Sequence, residues 1–190
     1  MFHIKKTNTL RLTITALLTA IAIVIPLVMP IKVLIEPASF TLASHVPIFL
    51  AMFFSPGIAV AVSIGSAIGF LLASFPIVIV LRALSHVAFA YIGAKILMNR
   101  REEILNSPTK SLLFSFGIGV VHGAAEMLIV SLFFYGAIPG TSYTDGFFYV
   151  VFLLVGVGTV VHSMVDFLLA QFIWKSMGNR VIKLDKKMFN

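Results

Sequence analysis

The 22 residues from Ile77 to Met98, IVIVLRALSHVAFAYIGAKILM, decide the fold class of this chain. Wound as an α-helix they rise about 33 Å, which matches the about 30 Å hydrocarbon core of a bilayer. On either side, Pro, Gly and charge punctuation marks five further apolar stretches, at about 10–29, 42–54, 58–73, 111–135 and 147–174. The chain therefore reads as an all-α integral membrane protein, a bundle of six transmembrane helices in one membrane domain over residues 1–190. The second and third stretches are short, so one of them is expected to be tilted, broken or partly re-entrant.

Composition agrees. Of 190 residues 59% are hydrophobic and 11% charged, with a mean hydropathy of +1.07, against about 45–50% apolar and about 25% charged in soluble domains. So few charges cannot cover a water-facing surface. The absence of Cys excludes disulfides, Cys-ligated zinc, iron–sulfur clusters and thiol catalysis. A net charge of +7 would suggest nucleic acid in a soluble protein, but here its distribution reports orientation. Lys5, Lys6 and Arg11 precede the first stretch. Lys95, Arg100, Arg101 and Lys110 flank the connection from the fourth to the fifth, and Lys175, Arg180, Lys183, Lys186 and Lys187 come after the sixth. With six spans these segments share one side, so both termini are expected in the cytoplasm and no nucleic-acid partner is expected. The N-terminal run to Pro30 is long for a leader peptide and reads as a span.

Ionisable residues inside spans carry the functional information, because each costs several kcal/mol unless paired or facing a wet cavity. Arg82 and His86, His122 and Glu126, and His162 and Asp166 are each spaced i, i+4, which puts both members on one helix face. Three polar stripes can thus turn to one interior, joined by His45. At about 1.5 Å per residue, Arg82 lies roughly 9 Å from the outer end of its span, Glu126 roughly 13 Å and His45 less than about 10 Å. His86 and His122 lie nearer the midplane, while Asp166 falls in the inner half. The outer group is a candidate pocket lining, and His162 with Asp166 reads as a structural hydrogen-bonded pair.

Two readings of Arg82 and Glu126 stay open: they neutralise one another across a helix interface, or one of them meets a ligand, for which a planar Arg fork suits a carboxylate. Ala16 and Ala20 form a smooth strip on the first span, and Gly65 to Gly69 a similar one on the third; small residues let helices approach closely, most simply within the bundle. No G-x-x-x-x-G-K-[ST] phosphate loop, H-E-x-x-H zinc motif or intramembrane serine-protease motif is present. A metal site from His86, His122 and His162 needs three helices to converge, and no catalytic residue, metal or cofactor is expected.

These features together resemble the substrate-binding S components of the energy-coupling factor (ECF) vitamin transporters of prokaryotes. The resemblance covers essentially the whole chain, through its six spans, short second and third spans and the alanine strip. It implies a prokaryotic cell-membrane location, a vitamin-sized ligand near the outer face lidded by the loop after span one, and partners in a transmembrane coupling subunit and two ATPase subunits. It also implies that Ala16 and Ala20 contact the coupling subunit. Within the family, residues 38–47, ASFTLASHVP, and the Arg82 to His86 segment are most similar to the niacin-type S component. Nicotinate needs one cation for its carboxylate and a polar partner for its ring nitrogen in an otherwise apolar pocket. Arg82 suits the first role, and one of His45, His86, His122 or Glu126 the second. The competing classes are a self-sufficient proton-coupled carrier using His162 and Asp166, and a metal-using membrane enzyme.

Overall fold

A computed structural model describes residues 6–35, 37–139 and 143–177. The chain forms α1 (Lys6–Val28), a hairpin of β1 (Lys32–Ile35) and β2 (Ala38–Thr41), then α2 (Val46–Phe54), α3 (Pro56–Leu72), α4 (Ile77–Asn106) and α5 (Pro108–Phe134). A π-helical stretch, Phe148–Val157, runs directly into α6 (Gly158–Ser176). Four segments are long and apolar enough to cross a membrane: Thr9–Val28, Ile77–Asn106, Pro108–Phe134 and Phe148–Ser176. The protein is thus an all-α membrane protein apart from its hairpin. The basic residues Lys5, Arg180, Lys183, Lys186 and Lys187, on which part of the orientation argument rests, lie outside the described residues.

Local chemistry sets the boundaries. Between α2 and α3, Ser55 is extended (φ −167°) and its Oγ accepts from the Ile58 amide at 3.3 Å, while Pro56, which has no N–H to satisfy, opens α3. Ser107 and Pro108 repeat the device before α5, with the Lys110 amide donating to Ser107 Oγ at 3.5 Å. Between α3 and α4, Ser74 takes φ 60° and Pro76 precedes the first turn. The apolar run expected as a second span from residue 42 becomes helical only at Val46, because residues 42–45 form a turn with Ala43 at φ 66°. At nine residues, α2 rises about 14 Å, too short to cross a bilayer alone.

Helix α2 is instead enclosed. Val46 to Phe53 are all buried, and Phe49 and Phe53 meet Phe167 of α6 edge-to-face at ring distances of 5.4 and 5.9 Å. Phe53 also packs on Trp174, over which the Arg101 guanidinium lies at 5.3 Å while donating to the Phe53 carbonyl. A second apolar cluster, Val130, Phe133, Val150, Val151 and Val155, joins α5 to the π-helical stretch and receives Ala38 of the hairpin. The glycines on α3 serve packing: a Cβ on Gly65 would lie 2.4 Å from Thr19 Cγ2 and one on Gly69 2.3 Å from Ile23 Cγ1, both on α1. Ala16 and Ala20 lie on another part of α1 and are exposed, beside exposed Leu17 and Val24.

The loop expected between Lys32 and Thr41 is an antiparallel hairpin, with Lys32 opposite Thr41 and Ile35 opposite Ala38. It covers one end of the bundle and sets Phe40 against Gly158 and His162.

Candidate functional site

A cavity of about 80 Å³ lies beneath the hairpin, walled by Pro26, Phe40, Phe70, Phe75 and Ile79, with His45, Arg82, His86, Glu126, Thr159 and His162 supplying polar groups. At about 10–15 Å³ for each water-sized sphere, it has room for several waters or a small heterocycle. Lys32 and Ser39 of the hairpin, and Ser44 of the turn, also line it.

The i, i+4 stripes of α4 and α5 face each other here. Arg82 Nη2 donates to Glu126 Oε2 at 2.8 Å, and Nη1 donates to the carbonyl of Pro37 at the hairpin tip at 2.5 Å. Glu126 Oε2 also accepts from Thr159 Oγ1 at 2.5 Å. Its other oxygen, Oε1, lies 3.3 Å from His86 Nε2 and 3.5 Å from His122 Nε2. Arg82 and Glu126 are 5% and 3% exposed, so each charge depends on the other for compensation. Arg82 Nε has no hydrogen-bond partner. The guanidinium therefore keeps donor capacity beyond its two protein bonds.

His45 links this group to α6. It is the N-cap residue of α2, and Asp166 holds its turn at three points: the Ala43 amide donates to Asp166 Oδ1 at 2.8 Å, the His45 amide to Oδ2 at 2.9 Å, and His45 Nδ1 lies 3.1 Å from Oδ2. His162 Nε2 lies 3.4 Å from Asp166 Oδ2 and 3.2 Å from Ser44 Oγ. The inner pair expected from helical depth is thus present but not separate, because the 42–45 turn brings His45 into contact with both groups. His45, His86 and His122 form a triangle with all three ring-centre distances at 4.7 Å.

Of the five candidate ligand residues, His45, Arg82, His86 and Glu126 line the cavity, while His122 is fully buried behind them and packed at 4.3 Å on Phe89. Sequence reasoning missed Thr159, and it marked Ser44 and Phe40 only as part of the 38–47 segment, not as site residues. A hydroxyl or Phe is common in membrane helices and loops and carries no signal without a partner. Thr159 stands three residues before His162 on α6, and that shared face was its only trace. Nothing in the sequence after Phe147 announces the π-helical geometry there, which Gly156 and Gly158 accompany.

Comparison with known proteins adds the family. The chain is 40% identical over 171 residues to the niacin transporter NiaX of Lactococcus lactis subsp. cremoris (strain MG1363), covering 90% of this chain and 75% of that protein. It belongs to the NiaX family, the niacin-type S components. No family model and no solved structure matches the chain. The cavity has aromatic walls and one buried guanidinium, with imidazole and hydroxyl groups around it.

Proposed function

We propose that the protein is the substrate-binding membrane subunit of an ECF-type importer, capturing niacin from outside the cell for ATP-driven uptake by a coupling subunit and two ATPase subunits. The observation that carries this reading is the Arg82 guanidinium in the cavity wall, buried yet with Nε unused. The nicotinate carboxylate takes its remaining donors, and the pyridine ring lies against Phe40, Phe70 and Phe75. Its nitrogen meets an imidazole of His45 or His86, or a hydroxyl of Ser44 or Thr159. The binding step needs no catalysis.

In this reading the bundle makes six crossings with both termini cytoplasmic, and the hairpin faces outward. The short α2 is compatible with that pattern because protein surrounds it, and membrane-depth backbone that protein encloses is tolerated. Ala16 and Ala20, small and exposed on α1, offer a close-approach face to a helix of the coupling subunit. Uptake by the chain in lipid vesicles tests the proposal: niacin should accumulate only when the coupling and ATPase subunits are reconstituted with it and ATP is supplied.

One observation favours a second reading, a proton-coupled carrier. His162 and His45 both lie beside Asp166, and the His45 ring packs edge-on at 4.7 Å against His86 and His122, which stand beside Glu126. Uptake driven by a pH gradient in vesicles containing this chain alone would establish it.

A further inference from the structure

Three imidazoles from three elements meet at His45, His86 and His122, and one ring nitrogen from each lies within 4.8 Å of the other two. Hydrogen bonding does not use these rings up. His45 presents Nδ1 to Asp166, which leaves Nε2 available. His86 Nε2 lies near Glu126, and its buried Nδ1 has no partner. His122 is fully buried with neither nitrogen hydrogen-bonded; its nearest acceptor, Glu126 Oε1, is 3.5 Å from Nε2. Buried polar atoms left unsatisfied are costly and rare, so three of them on two touching rings require an account.

We propose that His45, His86 and His122 bind a divalent transition-metal ion of the imidazole-preferring class, with Zn²⁺ as its representative. A triangle whose edges are no longer than 4.8 Å has its centre within about 2.8 Å of each corner, so a closure of at most about 0.7 Å per nitrogen reaches the about 2.0–2.1 Å of a zinc–imidazole bond. The carboxylates that touch the three rings suit an ion. Asp166 holds His45 through Nδ1, and Glu126 stands beside Nε2 of His86 and of His122; carboxylates next to imidazoles in this way orient metal-ligating histidines. Charge agrees as well: among the described buried residues, Arg82 is the one cation and Glu126 and Asp166 the two carboxylates. With neutral imidazoles these buried groups sum to one net negative charge, which favours a cation among them.

A second triplet, His45, His162 and Asp166, also converges. It is the weaker candidate, because both Asp166 oxygens already accept from the Ala43 and His45 amides. His45 and His86 line the cavity, so the ion's remaining coordination position opens towards it. The metal site shares His45 and His86 with the wall of the proposed niacin cavity, and its test uses the metal alone.

The full chain in detergent is stripped with a chelator and titrated with Co²⁺ or Zn²⁺ in the absence of niacin. The expected result is one ion per chain, with the intense visible bands of low-coordinate Co²⁺ and three imidazole nitrogens in the X-ray absorption of the Zn²⁺ form. His122→Gln should abolish stoichiometric binding, Asp166→Asn should weaken it by about 10–100-fold, and His162→Gln should still hold one ion per chain. The absorption measurement uses the unaltered protein, so it decides even where a variant fails to fold. No stoichiometric metal, fewer than three imidazoles, or loss of the ion in His162→Gln would overturn the proposal.

Discussion

Arg82 of α4 and Glu126 of α5 meet at 2.8 Å with both side chains out of water. Breaking such a pair from one side leaves an uncompensated buried charge, whereas replacing both partners with apolar residues is often neutral. Glu126→Gln should therefore cost about 3 kcal/mol of stability, read as a lowered thermal midpoint in detergent. Arg82→Met with Glu126→Leu should recover most of that loss while leaving niacin unbound. A double variant no more stable than Glu126→Gln would mean that Thr159 and the histidines, not Arg82, set the requirement for the carboxylate.

Asp166 is the tether of the turn that carries His45. An Asn keeps one acceptor but turns an amide NH₂ towards backbone donors, so at least one of the two amide bonds is lost. Asp166→Asn should cost about 1–3 kcal/mol, and hydrogen exchange at Ala43 and His45 should accelerate while exchange in α4 stays slow. Unchanged protection at those two amides would show that the hairpin and α2 hold the turn without Asp166.

Close packing of α1 on α3 depends on Gly65 against Thr19. Gly65→Ala should destabilise by about 1–3 kcal/mol through overpacking, and adding Thr19→Ala should restore much of it. Equal thermal midpoints for Gly65→Ala and the unaltered protein would mean that the helices shift freely to make room.

The membrane class, the helices and the facing polar stripes are legible in the sequence because each rests on a single-helix property. Twenty apolar residues are visible as a run, and the i, i+4 spacing of Arg82 with His86 and of His122 with Glu126 is visible as a period. Features that depend on contacts between distant segments are not. Depth counted along α6 separates Asp166 from His45, since nothing in residues 42–45 announces a turn whose amides reach α6. The start of α2 lies at Val46 rather than Leu42 for the same reason: Leu42 and Ala43 extend the apolar run, yet the turn they open is tied to Asp166. The Lys32–Thr41 hairpin reads as a loop because strands this short give too little alternation to detect.

Exposure of Ala16 and Ala20, away from the α3 contact at Thr19 and Ile23, supports separating binding from transport. Ala16→Trp with Ala20→Trp should leave niacin affinity of the isolated chain within about threefold, about 0.7 kcal/mol, and should abolish ATP-driven uptake by the assembled transporter. Loss of binding in the isolated variant would mark the alanines as packing residues, and unchanged uptake would remove them from the coupling interface.

Capture of an anionic vitamin by the buried Arg82 guanidinium is decided by calorimetric titration of the purified chain with nicotinate and with nicotinamide, its uncharged amide. The expected result is saturable binding of nicotinate, at least about tenfold weaker binding of nicotinamide for the loss of about 1.5–3 kcal/mol from a charged hydrogen bond, and no measurable nicotinate binding in a folded Arg82→Ala variant. Equal affinity for the two ligands, or near-normal nicotinate binding by Arg82→Ala, would contradict it.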